Sequence, residues 1–271
     1  MTSITTIIGN PASSGAGSLR FFGNNGGAGT TQIDRVVIPL DAPATAADLG
    51  ATDFTIEAWL RTDSGNNASL QTGGANYNFV NTNIFWDRDR LTNDPAWGVG
   101  LGGGRVTFSV KDSAASPYTL VGATDIRDSA WHHVAVTRAQ STGNLAIYID
   151  GVLDASTSSA PSGDISYPNG ATGATWDPYL VLGAEKHDFD PAVYPSFYGY
   201  MASLRLSTNV RYTSNFTVPS FPLSSDANTA CLYLFDEQTG TTLTDSVGGA
   251  NGTIRRGGTN NGPQWSTERP V

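Results

Sequence analysis

Charge and cysteine are both scarce in this chain. Only 14% of its 271 residues are Asp, Glu, Lys or Arg, against roughly 25% in an ordinary soluble protein. The single cysteine, Cys231, excludes an internal disulfide and a thiolate zinc site. Basic residues number 15 against 24 acidic ones, a formal net charge of −9, and they form no cluster. Nothing is therefore available to displace counterions from a phosphate backbone, and no nucleic-acid partner is expected. No apolar run approaches the ~20 residues of a membrane-crossing helix, so no membrane insertion is expected either. The opening MTSITTIIGNP has no basic residue ahead of its short apolar stretch and does not fit a secretory signal. Amphipathic helix periodicity is missing too. A charge-poor surface must be clothed in Ser, Thr, Asn and Gly, and the 31 glycines agree. Those residues suit strands, turns and long loops.

What is present is alternation. Phe54, Ile56 and Ala58 alternate with Thr55, Glu57 and Trp59; Val106, Phe108 and Val110 alternate with Arg105, Thr107 and Ser109. Leu145, Ile147 and Ile149, and then Leu204 and Leu206, repeat the pattern, and VAVT after Trp131 is a further strand. Cys231, Tyr233 and Phe235 alternate with Leu232 and Leu234, apolar on both sides, which predicts a central strand. Asp150-Gly151 between IYI and VLD is a two-residue hairpin signal, and GGG at 102–104 separates two further strands. Only 44–50 reads as a short helical turn. The expectation is an all-β sandwich or barrel with one domain at 18–256, an arm at 1–17 and a tail at 257–271. Long loops are expected at 62–94, 155–177 and 186–197.

The ordered segments SLRFFG (18–23), FTIEAWLRT (54–62), WGVGLGGGRVTFSV (97–110), WHHVAVTRAQSTGNLAIYIDGVL (131–153) and FYGYMASLRLST (197–208) carry a resemblance. Together they resemble the laminin-G-like branch of the concanavalin A-like lectin/glucanase superfamily, over about residues 18–256, and the WHHVAVTR…YIDG block is the most specific part. The resemblance implies a jelly-roll sandwich of two antiparallel sheets, one concave and one convex. ACLYLFDEQTGTTLTDSVGGANGTI (230–254) is similar to a segment that often opens such domains and here comes last. VRYTSNFTVPSFPL (210–223) resembles a bridging segment of phage and bacterial members.

Because the superfamily contains glycosidases, a carboxylate pair is the first feature to seek. The Glu-x-Asp-x-x-Glu strand of related β-glucanases is absent. The nearest cluster, Glu185, Asp188 and Asp190, reads as a solvated turn or an ion site, so no catalytic residue is assigned and no enzyme is expected. His132 and His133 are neighbours on a strand and point to opposite faces, so they cannot chelate one metal. Within the resemblance the WHH block is structural, and Trp59 and Trp131 are expected in the core. Calcium is the one cofactor considered. It takes six to eight oxygens, and the resemblance points to Asp236 and Asp245 as ligands. Against it, Ala202 and Ser203 stand where many relatives carry an acidic pair. Glycan binding needs aromatic faces with polar neighbours. Trp86, Trp97, Trp176 and Trp265 lie in or beside loops, and Trp176, Asp177, Tyr179, Tyr194 and Phe197 form the expected ligand-binding cluster. The expected function is a non-catalytic binding module on a virion surface, on a capsid or tail and in contact with host glycans. A lytic virus needs no export signal. Multiple copies, or a homo-oligomer packed with other subunits, would supply avidity. A secreted bacterial lectin-like module, extracellular after loss of a signal, is the alternative, and a glycoside hydrolase comes third.

Overall fold

The computed structural model describes residues 15–23, 34–41, 43–77, 81–89, 95–114, 116–168, 178–186, 193–256 and 262–271. Among these residues sixteen strands form two sheets, and every strand pair is antiparallel. The first sheet runs β10 (Val152–Thr157), β9 (Asn144–Ile149), β8 (Trp131–Ala139), β3 (Phe54–Arg61), β12 (Tyr198–Ser207), β1 (Ser18–Phe22), β16 (Gln264–Ser266), with β13 (Thr229–Tyr233) also pairing β12. The second runs β14 (Thr242–Leu243), β15 (Gly252–Arg255), β2 (Arg35–Pro39), β11 (Tyr179–Leu182), β4 (Asn83–Arg88), β5 (Ala96–Gly102), β6 (Arg105–Lys111), β7 (Pro117–Asp125). No described residue is α-helical, and 44–50 forms turns. This is the expected all-β jelly-roll sandwich.

The alternation read in the sequence builds the core. Phe54, Ile56, Ala58 and Leu60 of β3 and Val134 and Val136 of β8 face Trp97, Val99 and Leu101 of β5 and Val106, Phe108 and Val110 of β6 in one buried cluster. Each such side chain contributes about 1.5–3 kcal/mol on leaving water. The β9–β10 hairpin turns on Asp150 (φ 50°) and Gly151 (φ 78°), the two left-handed residues that a tight right-twisting hairpin requires. The Asp150 carboxylate also takes the His133 backbone N–H at 2.8 Å.

Three expectations are corrected. First, β13 is buried but not central. It pairs only with the Leu204–Ser207 half of β12, on the edge that β1 occupies farther along. Its two apolar faces reflect cover above and below, not strands on both sides. Second, the stretch set apart as a tail contributes β16, which pairs Ser18↔Ser266 and Leu19↔Trp265. Third, the tryptophans change places. Trp86 and Trp97 are fully buried in the core, whereas Trp59 and Trp131 are only partly buried. Register explains this: Trp59 lies on the Thr55–Glu57 side of β3, and Trp131 on the His133 side of β8, both away from the core residues.

That outer face is partly covered by residues 210–223, which cross it as a strap. The Arg211 N–H donates to Thr55 Oγ1 (3.0 Å), the Phe216 N–H to Gly151 O (2.8 Å) and the Leu223 N–H to Ser203 Oγ (2.8 Å). Tyr212 and Phe216 stack face to face at 3.5 Å, and Phe221 meets Trp59 edge-on at 6.4 Å.

Candidate ligand-binding face

Under the strap lies a buried ionic network. Glu57 is fully buried; its carboxylate meets His133 Nε2 at 3.0 Å, accepts from Arg205 Nε at 2.8 Å and accepts from the Tyr212 hydroxyl at 2.7 Å. Arg211 stands 3.7 Å away and pairs with Asp226 at 2.7 Å. Burial alone would raise the Glu57 pKa, but His133, Arg205 and Tyr212 outweigh it and hold the carboxyl below its ordinary range. Burial and the facing carboxylate push the Tyr212 phenol up. With every oxygen engaged and no opening to water, Glu57 fastens the strap and is not placed for acid–base chemistry.

Beside the strap the same face carries an open aromatic row. Arg20 and Phe22 alternate with the core residues Leu19 and Phe21 on β1, and Tyr198 and Tyr200 lie across from them on β12. Arg61 of β3 and Trp131 of β8 complete it. All six are partly exposed. The row crosses four adjacent strands, roughly 14 Å at ordinary strand spacing. The Arg20 guanidinium sits 4.9 Å from the Phe22 ring centroid, 5.2 Å from Tyr200 and 5.9 Å from Tyr198, and it donates to the Tyr200 (2.9 Å) and Tyr198 (3.2 Å) hydroxyls. Arg61 lies 5.5 Å from the Tyr200 ring and pairs with Glu268 at 2.6 Å. Trp131 is 6.1 Å from Tyr200. These cation–π and hydrogen-bond contacts hold the rings in fixed orientations before any ligand arrives.

The cluster expected from sequence is described only in part. Trp176 and Asp177 fall outside the described residues. Tyr179 opens β11 in the second sheet, and Tyr194 is partly buried. Phe197 is fully buried, edge-on to Phe21 at 5.9 Å and Phe85 at 6.0 Å, and offers no face to solvent. Of the proposed calcium ligands, Asp236 is exposed. Asp245 is buried and accepts the backbone N–H groups of Leu232 (2.9 Å), Val247 (3.0 Å) and Ala250 (3.0 Å), the bonds of a loop organiser. Among the described residues no group of three or more His, Cys, Asp or Glu could hold a metal ion. Glu185, expected in a solvated turn, is buried at 2% exposure, while Asp188 and Asp190 lie outside the described residues.

Fold and face together define a β-sandwich with an open aromatic row on the outer face of its first sheet. Residues 40–215 match a laminin G family of the Concanavalin A-like lectin/glucanases superfamily, and the chain belongs to that family. No curated protein matches it. The solved structure of a Bacteroides ovatus protein to which carbohydrate binding has been ascribed is similar over 99% of this chain and 67% of its own, at 18% identity and a TM-score of 0.56. The heptameric SAP-like pentraxin of Limulus polyphemus is similar over 88% of this chain and 94% of its own, at 12% identity and a TM-score of 0.50. At such identities these likenesses concern the fold.

Proposed function

We propose that this chain is a non-catalytic carbohydrate-binding module that docks a glycan along Phe22, Tyr198, Tyr200 and Trp131. The observation that carries the reading is the row itself. Sugar C–H faces stack on aromatic rings, and the phenol hydroxyls and guanidinium edges beside them can bond sugar hydroxyls. The fold shared with the Bacteroides ovatus protein agrees with this reading. Glycoside hydrolysis needs two carboxylates flanking the bond; beside the row, Glu268 is already paired with Arg61, and the buried Asp34 accepts the Phe22 backbone N–H at 2.8 Å. The context we propose is display in many copies on a virion surface, where weak contacts add through avidity. The likeness of the strap sequence to phage and bacterial members supports that context, and mass spectrometry of purified particles tests it.

The binding test is a glycan array probed with the multimerised protein, followed by titration of the best hit. Tyr200→Ala and Trp131→Ala should each weaken binding about tenfold, equivalent to ~1.4 kcal/mol, with the far-UV circular dichroism spectrum of the folded protein retained. A flat array with folded protein, or full affinity in the double variant, would overturn the reading.

A further inference from the structure

We propose a second ligand site, for a neutral oligosaccharide, in the cleft on the opposite side of the strap from Trp59. The cleft measures about 500 Å³ and lies between β8–β10 and strap residues 210–213, within the usual range for small-molecule sites. Its chemistry is amphipathic. Ala146, Leu153 and Val210 supply apolar surface, and the Tyr148 ring lies among them. The side chains of Thr137, Asn144, Ser156, Ser158 and Thr213 line it as well, and among the described residues none of them has a side-chain hydrogen-bond partner.

Charge selects the ligand class. Among the described residues no Asp, Glu, Lys, Arg or His lines the cleft, although the chain carries 39 acidic and basic residues. The phenols of Tyr148 and Tyr212 are already committed, to Tyr212 O at 3.0 Å and to Glu57 at 2.7 Å. A charged ligand would shed water and find no counter-ion. A neutral polyol instead finds free hydroxyls and an amide around apolar patches that match its C–H faces. The site shares no residue with the aromatic row, so either site can fail without the other.

The test is an amide-resolved NMR titration of the whole chain with neutral trisaccharides of glucose, galactose and xylose, and with a uronate-terminated analogue. Saturating shifts are expected at β8–β10 and Thr213, with the uronate at least about tenfold weaker. Ala146→Arg, which fills the cleft, should weaken binding more than about tenfold. Thr213→Trp, on the wall and exposed, should do the same if the strand variant misfolds. Tyr198→Ala should leave these shifts in place. Absence of shifts with every trisaccharide, uronate binding as tight as neutral, shifts with neutral peptides alone, or unchanged binding in a folded cleft variant would each overturn the proposal.

Discussion

Glu57→Ala should detach the strap. The carboxylate is the shared acceptor for His133, Arg205 and Tyr212 at 2.7–3.0 Å, and both Glu57 and His133 are fully buried. Removing it leaves the Arg205 guanidinium under the strap with no counter-charge, and an imidazole and a phenol with no hydrogen-bond partner. Breaking a buried pair from one side costs about 3–5 kcal/mol. The three lost hydrogen bonds are part of that figure and do not add to it, because they share one centre. In a chain of this length the cost corresponds to a melting temperature lower by roughly 6–20 °C. Two assays separate global from local loss: urea unfolding followed by far-UV circular dichroism, and limited proteolysis mapped by mass spectrometry. Cleavage should begin at 213–220, because Tyr212 and Phe216 anchor that stretch. Acid adds a second signature. Glu57 is held below the ordinary carboxyl value of about 4.3. The stability it contributes is therefore present above that value and is lost as pH falls through the lower, folded one. The alanine variant should lose less stability over that interval than the wild type. A cost under about 1 kcal/mol with an uncleaved strap would refute the assignment of Glu57 as its fastener.

His132 stands between two carboxylates, Nδ1 at 2.7 Å from Asp150 and Nε2 at 3.0 Å from Asp128. The Asp150 hydrogen bond and then Asp128 raise its pKa against the lowering effect of burial. Its contribution is full below the ordinary value near 6.5 and is lost as pH rises through the folded one. Both carboxylates face solvent, so His132→Gln should remove less than about 1 kcal/mol and flatten the decline of the urea midpoint between pH 6 and 8; an unchanged slope would count against the triad. Deleting residues 257–271 removes β16 and the Trp265 side chain packed against the core. A loss of about 2–4 kcal/mol in urea is expected, from one large side chain and an unpaired edge; an unaltered midpoint would make β16 dispensable.

The strand pattern was legible because alternation and the Asp150-Gly151 turn are local properties. The outer face was not, although part of it lay within the same alternation. In WHHVAVT, Val134 and Val136 mark the core side and put Trp131 with His133 on the other; in FTIEAW, Phe54 and Ile56 do the same for Trp59. Aromatic size suggested core, but parity was the better guide. Likewise RFF and YGY hide the row: Phe21 and Met201 go inward, sending Arg20, Phe22, Tyr198 and Tyr200 outward together. That these four meet is a matter of the long-range β1–β12 register, which no local pattern encodes. Neither does local pattern show that Trp86 and Trp97, in a loop-rich stretch, belong to paired core strands.

The pairing of Ser18 with Ser266 has a mechanical meaning. In an antiparallel pair with those residues opposed, the chain enters β1 and leaves β16 at the same end. Tension between attachments on the two sides would open this ladder bond by bond, as a zipper, rather than shear all its bonds at once. Such a load would peel β16 away first, while β1 stays seated against β12. The aromatic row, built on β1, β12, β3 and β8, would keep its shape under a pull that has already begun to unravel the edge of the sheet.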